Sequence, residues 1–253
     1  LDAGADVNAI YPASGQNALA AGYFCPEVTK LLLEKGGDPN GGSYPAIISA
    51  SNCYSIEVMK LLLDAGADPN AIGVIDAGAT LRKMLEDEKA KGRKANKIMV
   101  EAWENALKSM NRMEVTALQQ TVQQTNCVPC LDMLLKAGAD PKKVKVDGGL
   151  IHVLANFSME KDMRKDGFTK GTPIMESMGM KVPAFYSDLP DARHGTPGQM
   201  LELLVKAGED VNARRSDSVS AFMAVLTLHK LDLAKAMMRN GADAVTWSHI
   251  ERH

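Results

Sequence analysis

The sequence predicts an all-α solenoid, one domain over residues 1–253 in which short helix pairs stack on one another. Three observations predict it. First, a phrase that ends a helix recurs: LLLEKGGDPN at 31–40 and LLLDAGADPN at 61–70, then MLLKAGADP at 133–141, LLVKAGEDVN at 203–212 and MMRNGADAV at 237–245, while the chain opens on LDAGADVN. Second, the glycines that align these phrases (Gly4, Gly36, Gly66, Gly138, Gly208, Gly241) lie 32, 30, 72, 70 and 33 residues apart, a period near 33 with two gaps about double that. Third, the chain is 45% hydrophobic but only 5% aromatic, so its core is mostly Leu, Ala, Val, Met and Ile, which suits closely stacked helices better than a β-sandwich.

Each phrase has a physical grammar. Apolar residues at i, i+3 and i+4 precede the glycine (Val28, Leu31, Leu32; Val58, Leu61, Leu62; Met200, Leu203, Leu204) and predict one buried helical face. The glycine ends the helix, because it adopts the left-handed conformation cheaply. Asp-Pro-Asn or Asp-Val-Asn then favours a turn and blocks continuation. Upstream of each glycine a shorter helix is expected to begin, at NALAA from Asn17, PAIISAS from Pro45, TLRKML from Thr80, TALQQTV from Thr116, GLIHVLA from Gly149 and SAFMAVL from Ser220.

The first doubled gap is thus filled by an ordinary unit starting near Thr80, whose second helix, IMVEAWENALKSM, lacks the Gly-Ala-Asp ending. Its linker EDEKAKGRKANK, 86–97, should be solvated. The second doubled gap stays anomalous. GLIHVLANF and GQMLELLVKAG mark its helical ends, and 158–197 between them is read as an insertion within one unit; the competing reading starts a degenerate extra unit at GTPIMESM.

Helix, short turn, helix, then GADxN and an extended finger every 33 residues or so resembles the ankyrin repeat. That family's pattern begins Thr-Pro-Leu-His and ends Leu-Leu-Glu-Ala-Gly-Ala-Asp-Val-Asn. LLLDAGADPN matches the ending closely, while LIHVLA and TPIMESM match the beginning loosely, and the resemblance recurs in register over most of the chain. It implies about six or seven repeats with short β-turn fingers and an incomplete first repeat, 1–8. One helix pair cannot bury its own apolar face, so the unit is stacked until a continuous core exists. The resemblance also implies that His152, at the fourth position of an opening motif, is structural, its ring bonding backbone near a finger.

Candidate chemistry centres on CVPC, Cys127 to Cys130. A Cys-x-x-Cys at a helix start can lower a thiol pKa and support redox exchange. Against that, Cys130 lies eight residues before its glycine, the column of Val28, Val58, Met200 and Leu233, where a cysteine acts as a small hydrophobe. Cys25 and Cys127 share another column but lie three units apart, too far to pair. Cys25 and Cys53 fall in adjacent units and could pair if the protein is exported. The histidines are scattered, no spacing resembles a zinc module, and no phosphate-cradling loop, GxSxG or HExxH occurs. No catalytic residue, metal or cofactor is therefore expected.

Twenty-nine basic against 31 acidic residues give a net charge of −2, with no global pull toward nucleic acid or anionic membrane, and neither is expected as a partner. No run of 18 apolar residues exists to span a bilayer. No signal peptide is visible in a chain that starts inside a unit, and a cytoplasmic location is favoured over export. Alone, the chain is expected to be monomeric.

What remains is surface. The fingers AIYPASGQ (9–16) and GGSYP (41–45) carry Tyr11 and Tyr44, expected to be exposed, a residue type favoured at interface hot spots. The fingers KKVKVDG (142–148) and ARRSDS (213–218) carry Lys142, Lys143, Lys145, Arg214 and Arg215, expected to form a basic edge suited to an acidic partner segment; ordinary solvated charge is the competing reading. The interval 158–197 adds Phe185 and Tyr186 among several methionines, either covering neighbouring helices or offering a partner contact. The expected function is a non-enzymatic scaffold that binds another protein. The alternatives are a thiol redox or metal-dependent activity at Cys127 and Cys130, or a spacer supporting a catalytic domain upstream.

Overall fold

The computed structural model describes residues 4–12, 14–22, 25–51, 56–110, 112–124, 127–157 and 195–243. Among them are twelve α-helices, two short 3-10 helices and one antiparallel strand pair, so the fold is mostly helical. The chain divides into two compact units, 1–120 and 121–253.

In the first unit, α1 (Ala18–Ala21) packs on α3 (Ala46–Ser51) and α2 (Pro26–Glu34) on α4 (Ile56–Asp64), while α1 also meets α2 and α3 meets α4. Two helix pairs therefore lie side by side. Their centre is α3, all six of whose residues are buried. Asn17 starts α1 by accepting the Ala20 N–H (2.9 Å), and its own amide donates to the Asp38 carbonyl (2.8 Å), tying the first helix pair to the turn that follows it.

The helix ends are as the sequence dictates. Gly36, Gly66, Gly138, Gly208 and Gly241 all take a left-handed φ of +84° to +94°. The next N–H then returns to a carbonyl five residues back, as in Gly37 to Leu32 (2.8 Å) and Ala67 to Leu62 (2.9 Å). The asparagine that closes three of these phrases has a second task. Asn8 Nδ2 donates to the Gly36 carbonyl (3.0 Å) and Asn8 Oδ1 accepts the Asp38 N–H (2.7 Å). The same two bonds join Asn40 to Gly66 and Asp68, at 3.0 and 2.7 Å, and Asn212 to Gly241 and Asp243, at the same lengths. Three of the phrases are thus clamped to the one that follows.

One expected stripe is not buried. Leu32 is enclosed, but Val28 and Leu31 are 43% and 49% exposed, whereas Val58 and Met200 in the same column are fully buried. Among the described residues no helix precedes α1, so that side of α2 has nothing to pack against.

The expected unit near Thr80 also differs from its prediction. β1 (Ile72–Asp76) pairs antiparallel with β2 (Arg112–Thr116), Ile72 opposite Thr116 and Asp76 opposite Arg112. The helices α5 (Ala79–Ala90) and α6 (Lys97–Lys108) leave from the end of β1 and return into β2. They pack on each other, α5 burying only Leu85 and Glu88 and α6 nothing. The helices are present where expected, but as an excursion between two paired strands rather than a layer of the stack. An all-α description therefore omits a strand pair. Replacing 77–111 by Asn-Gly should close β1 and β2 into a hairpin, since a two-residue turn fits their register. Because so little is buried there, thermal melts should shift by less than about 5 °C while helical circular dichroism falls.

α7 (Ala117–Gln124) carries the boundary between the units. In the second unit, α9 (Gly149–Phe157) packs on α10 (Pro197–Lys206) and α11 (Ala221–Thr227), α10 packs on α8 (Val128–Lys136) and α12 (Leu231–Arg239), and α11 packs on α12. Lys230 Nζ donates to the Ala155 carbonyl (2.6 Å), a cation at the negative end of α9. α9 and α10 flank the interval 158–197 and touch each other; 158–194 lie outside the described residues.

Candidate partner-binding interface

The fingers of the first unit are knitted edge to edge by backbone. Tyr11 N–H donates to the Gln16 carbonyl (2.8 Å), Ser43 and Tyr44 both donate to the Gly15 carbonyl (3.0 and 3.3 Å), and Val74 of β1 donates to the Ser43 carbonyl (2.9 Å). Above this ladder lies a cleft of about 460 Å³, whose walls include Gln16, Ser43, Tyr44, Ser49, Asp76 and Arg112. Gln16 Nε2 donates to Ser49 Oγ (3.4 Å). Asp76 is the electrostatic centre: one oxygen accepts the Gly78 N–H (3.0 Å) and pairs with Arg82, the other faces Arg112 Nε (3.4 Å). Two guanidinium groups on one carboxylate leave local positive charge beside neutral donors and acceptors. Such a cleft can hydrogen-bond an extended polar chain and receive a carboxylate.

Tyr11, the chain neighbour of the cleft-lining Pro12, is 66% exposed, as expected. Tyr44 is not an exposed finger residue. It is half-buried, its ring lying on β1 where a Cβ on Gly73 would come within 3.1 Å. A side chain at 73 would press on the ring and come within 2.6 Å of Ile48 Cδ1. Asp76 and Arg112 were invisible to sequence patterns, being 36 positions apart on either side of the α5–α6 excursion.

In the second unit, Lys142 and Lys143 lie exposed in the 3-10 turn Pro141–Lys143, with Lys145 exposed just beyond it. The 213–218 finger carrying Arg214 and Arg215 is fastened to this segment through Asp147, which accepts the Ser216 N–H (2.9 Å) and hydroxyl (2.7 Å). Those two bonds hold the Asp147 carboxyl below its usual range. The predicted basic residues are thus brought together, but not all as free charge. Arg215 faces both Asp147 (3.8 Å) and Asp217 (3.3 Å), and Arg214 donates to the Ser218 carbonyl (2.9 Å). The basic edge is weaker than the residue count suggested, because its acidic neighbours partly neutralise it. Phe185 and Tyr186 lie outside the described residues.

His152 sits beneath these fingers, 1% exposed, its Nε2–H donating to the Ala213 carbonyl (3.1 Å). Its Nδ1 is buried with no hydrogen-bond partner. Burial lowers its pKa from the ordinary 6.5. The unfolded chain therefore binds more protons below that value, and stability should fall as pH drops below about 6.5 toward the lower folded-state pKa. Chemical denaturation at several pH values should show this slope, and His152→Gln should flatten it. At the N-terminus of α9, Glu209 replaces the alanine or glycine of other phrases, and its carboxylate accepts the Leu150 N–H (2.9 Å). Burial raises its pKa despite that bond.

Cys127 and Cys130 are joined as a disulfide, at 1% and 2% exposure, with Cys127 at the N-cap of α8. The sequence placed Cys130 correctly in the core but treated it as a lone small hydrophobe; a three-residue separation at a helix start brings the two sulfurs within bonding reach. Cys25 is free, its thiol donating to Glu27 (3.1 Å), and Cys53 lies outside the described residues. Among the described residues no three His, Cys, Asp or Glu side chains are grouped so as to hold a metal ion, and no helix is long and apolar enough to cross a membrane.

No family model matches the chain, and no curated protein matches it.

Proposed function

We propose that the chain is an ankyrin-type repeat array acting as a non-enzymatic scaffold, holding a segment of another protein against its fingers. The observation that carries this reading is the asparagine clamp. Three copies of GADxN or its variant each use the terminal asparagine to fix the next copy, with bond lengths of 3.0 and 2.7 Å every time. Such nearest-neighbour repetition is the physical basis of a solenoid. The direct pairing of α9 with α10 supports treating the residues between them as an insertion. The partner surface would be the cleft together with the neighbouring exposed Tyr11 and, separately, Lys142 and Lys143. An extended acidic segment suits both.

Affinity capture from lysate with mass spectrometry tests this, using the intact chain beside Tyr11→Ala/Gln16→Ala and Lys142→Glu/Lys143→Glu. A protein held by the intact chain and reduced about tenfold by either pair, a loss of about 1.4 kcal/mol, is the expected result. If nothing is enriched by the intact chain, the repeats are better read as support for another domain.

The disulfide at the start of α8 favours a second reading, thiol exchange. Burial of both sulfurs opposes it, because the attacking thiolate must be reached. Turnover in a dithiol-coupled insulin reduction assay, abolished by Cys127→Ser, would make redox activity the better reading.

A further inference from the structure

The α5–α6 excursion ends in a tip, KAKGRKANKI at 89–98, that holds Lys89, Lys91, Arg93, Lys94 and Lys97 and no acidic residue. Every residue from 89 to 94 is exposed. The turn is firmly built from below. Glu88 accepts the Asn96 N–H (2.9 Å) and pairs with Lys91, and Asn96 in turn accepts the Ile98 and Met99 N–H groups (3.1 and 3.2 Å), starting α6. Lys89 is paired with Glu104 (2.6 Å). Among the described residues Arg93, Lys94 and Lys97 have no such acidic partner. Beside them Ile98 is 81% exposed, more than any other large hydrophobic side chain described. Val100, Trp103 and Leu107 are half-buried on the stripe of α6 that meets α5, and Ile98 lies off that stripe.

We propose that this tip docks on an anionic lipid bilayer, with its cations in the headgroup layer and Ile98 inserted among the acyl chains. Exposed cations and an exposed aliphatic residue in one ten-residue tip match the two components of such a surface, negative headgroups over hydrocarbon. A net charge of −2 does not oppose it, since only charges within about a Debye length of the surface count. Residues 89–98 contain no aromatic side chain for base stacking, which disfavours single-stranded nucleic acid. The tip also lies outside the stacked helices, so this docking does not depend on any partner held by the fingers.

The test is co-sedimentation of the full chain with phosphatidylcholine vesicles containing about one third phosphatidylserine, against pure phosphatidylcholine, at about 0.1 M salt. Binding to the anionic vesicles alone is expected. Arg93→Glu/Lys94→Glu/Lys97→Glu should weaken it at least about tenfold. Ile98→Ser should weaken it about three- to tenfold with the salt dependence unchanged. Ile98→Trp should bind as well as the parent and add blue-shifted fluorescence on contact with vesicles. All four positions are exposed, so circular dichroism should be unchanged in each variant. No preference for anionic vesicles, or a preference that survives the triple charge reversal, overturns the proposal. So does binding indifferent to Ile98→Ser with equal retention on a single-stranded RNA, which would make the tip a generic polyanion site.

Discussion

Ile48→Ala is expected to destabilise the first unit by about 3 kcal/mol, within the roughly 2–5 kcal/mol range for truncating a buried aliphatic side chain. Ile48 is completely buried in α3, where no residue is exposed and nothing can relax into a vacated volume without moving a helix. Its Cδ1 also lies against Gly73 of β1, where a Cβ would come within 2.6 Å. The substitution therefore removes helix packing and the seat of the strand pair together. Urea unfolding followed by circular dichroism measures it. Ile98→Ala is the contrasting case, expected within about 0.5 kcal/mol of the parent because that side chain stands in solvent. Comparable losses at both positions would contradict the placement of α5–α6 outside the stack.

Asn40→Ala should cost about 1–2 kcal/mol, the sum of two ordinary hydrogen bonds in a partly hydrated setting. It removes the donor to Gly66 and the acceptor for Asp68 at once. Asn40→Asp separates the two halves. It keeps an acceptor for the Asp68 N–H but loses the donor, so it should fall between alanine and the parent in the same urea titration. Asn212→Ala removes the equivalent pair in the second unit and should cost a similar amount. An effect at Asn40 alone would mean that the bonds are local accidents rather than a repeated clamp.

The clamp shows how far sequence reasoning reached. The phrase ending in asparagine was legible as a turn, and its glycines as helix ends, because both are settled within a few residues by backbone sterics. What the asparagine side chain grips, 26 to 31 residues ahead, was not legible, although the repetition of the phrase signalled that its last residue mattered. The candidate interface divides in the same way. Tyr11, Lys142 and Lys143 were found on exposed turns because turn residues advertise themselves. Tyr44 was misjudged, since its exposure depends on a distant glycine that lets the ring lie down on β1. Arg215 was counted as free charge, and Asp147, on another finger, takes part of it.

By itself the sequence determined where most helices begin and end, which residues cap them and which columns of α4, α8, α10 and α12 face inward. Those features follow from φ preferences and from apolar spacing within a dozen residues. Only the tertiary structure decided that residues 79–108 leave the stack. That outcome rests on β1 pairing with β2 across the excursion, and an amphipathic helix pair looks the same in sequence whether a neighbour covers it or water does. It decided likewise that Cys127 and Cys130 are joined, that Val28 and Leu31 are exposed, and that Asp76 meets Arg112. Each of these depends on which surface lies opposite.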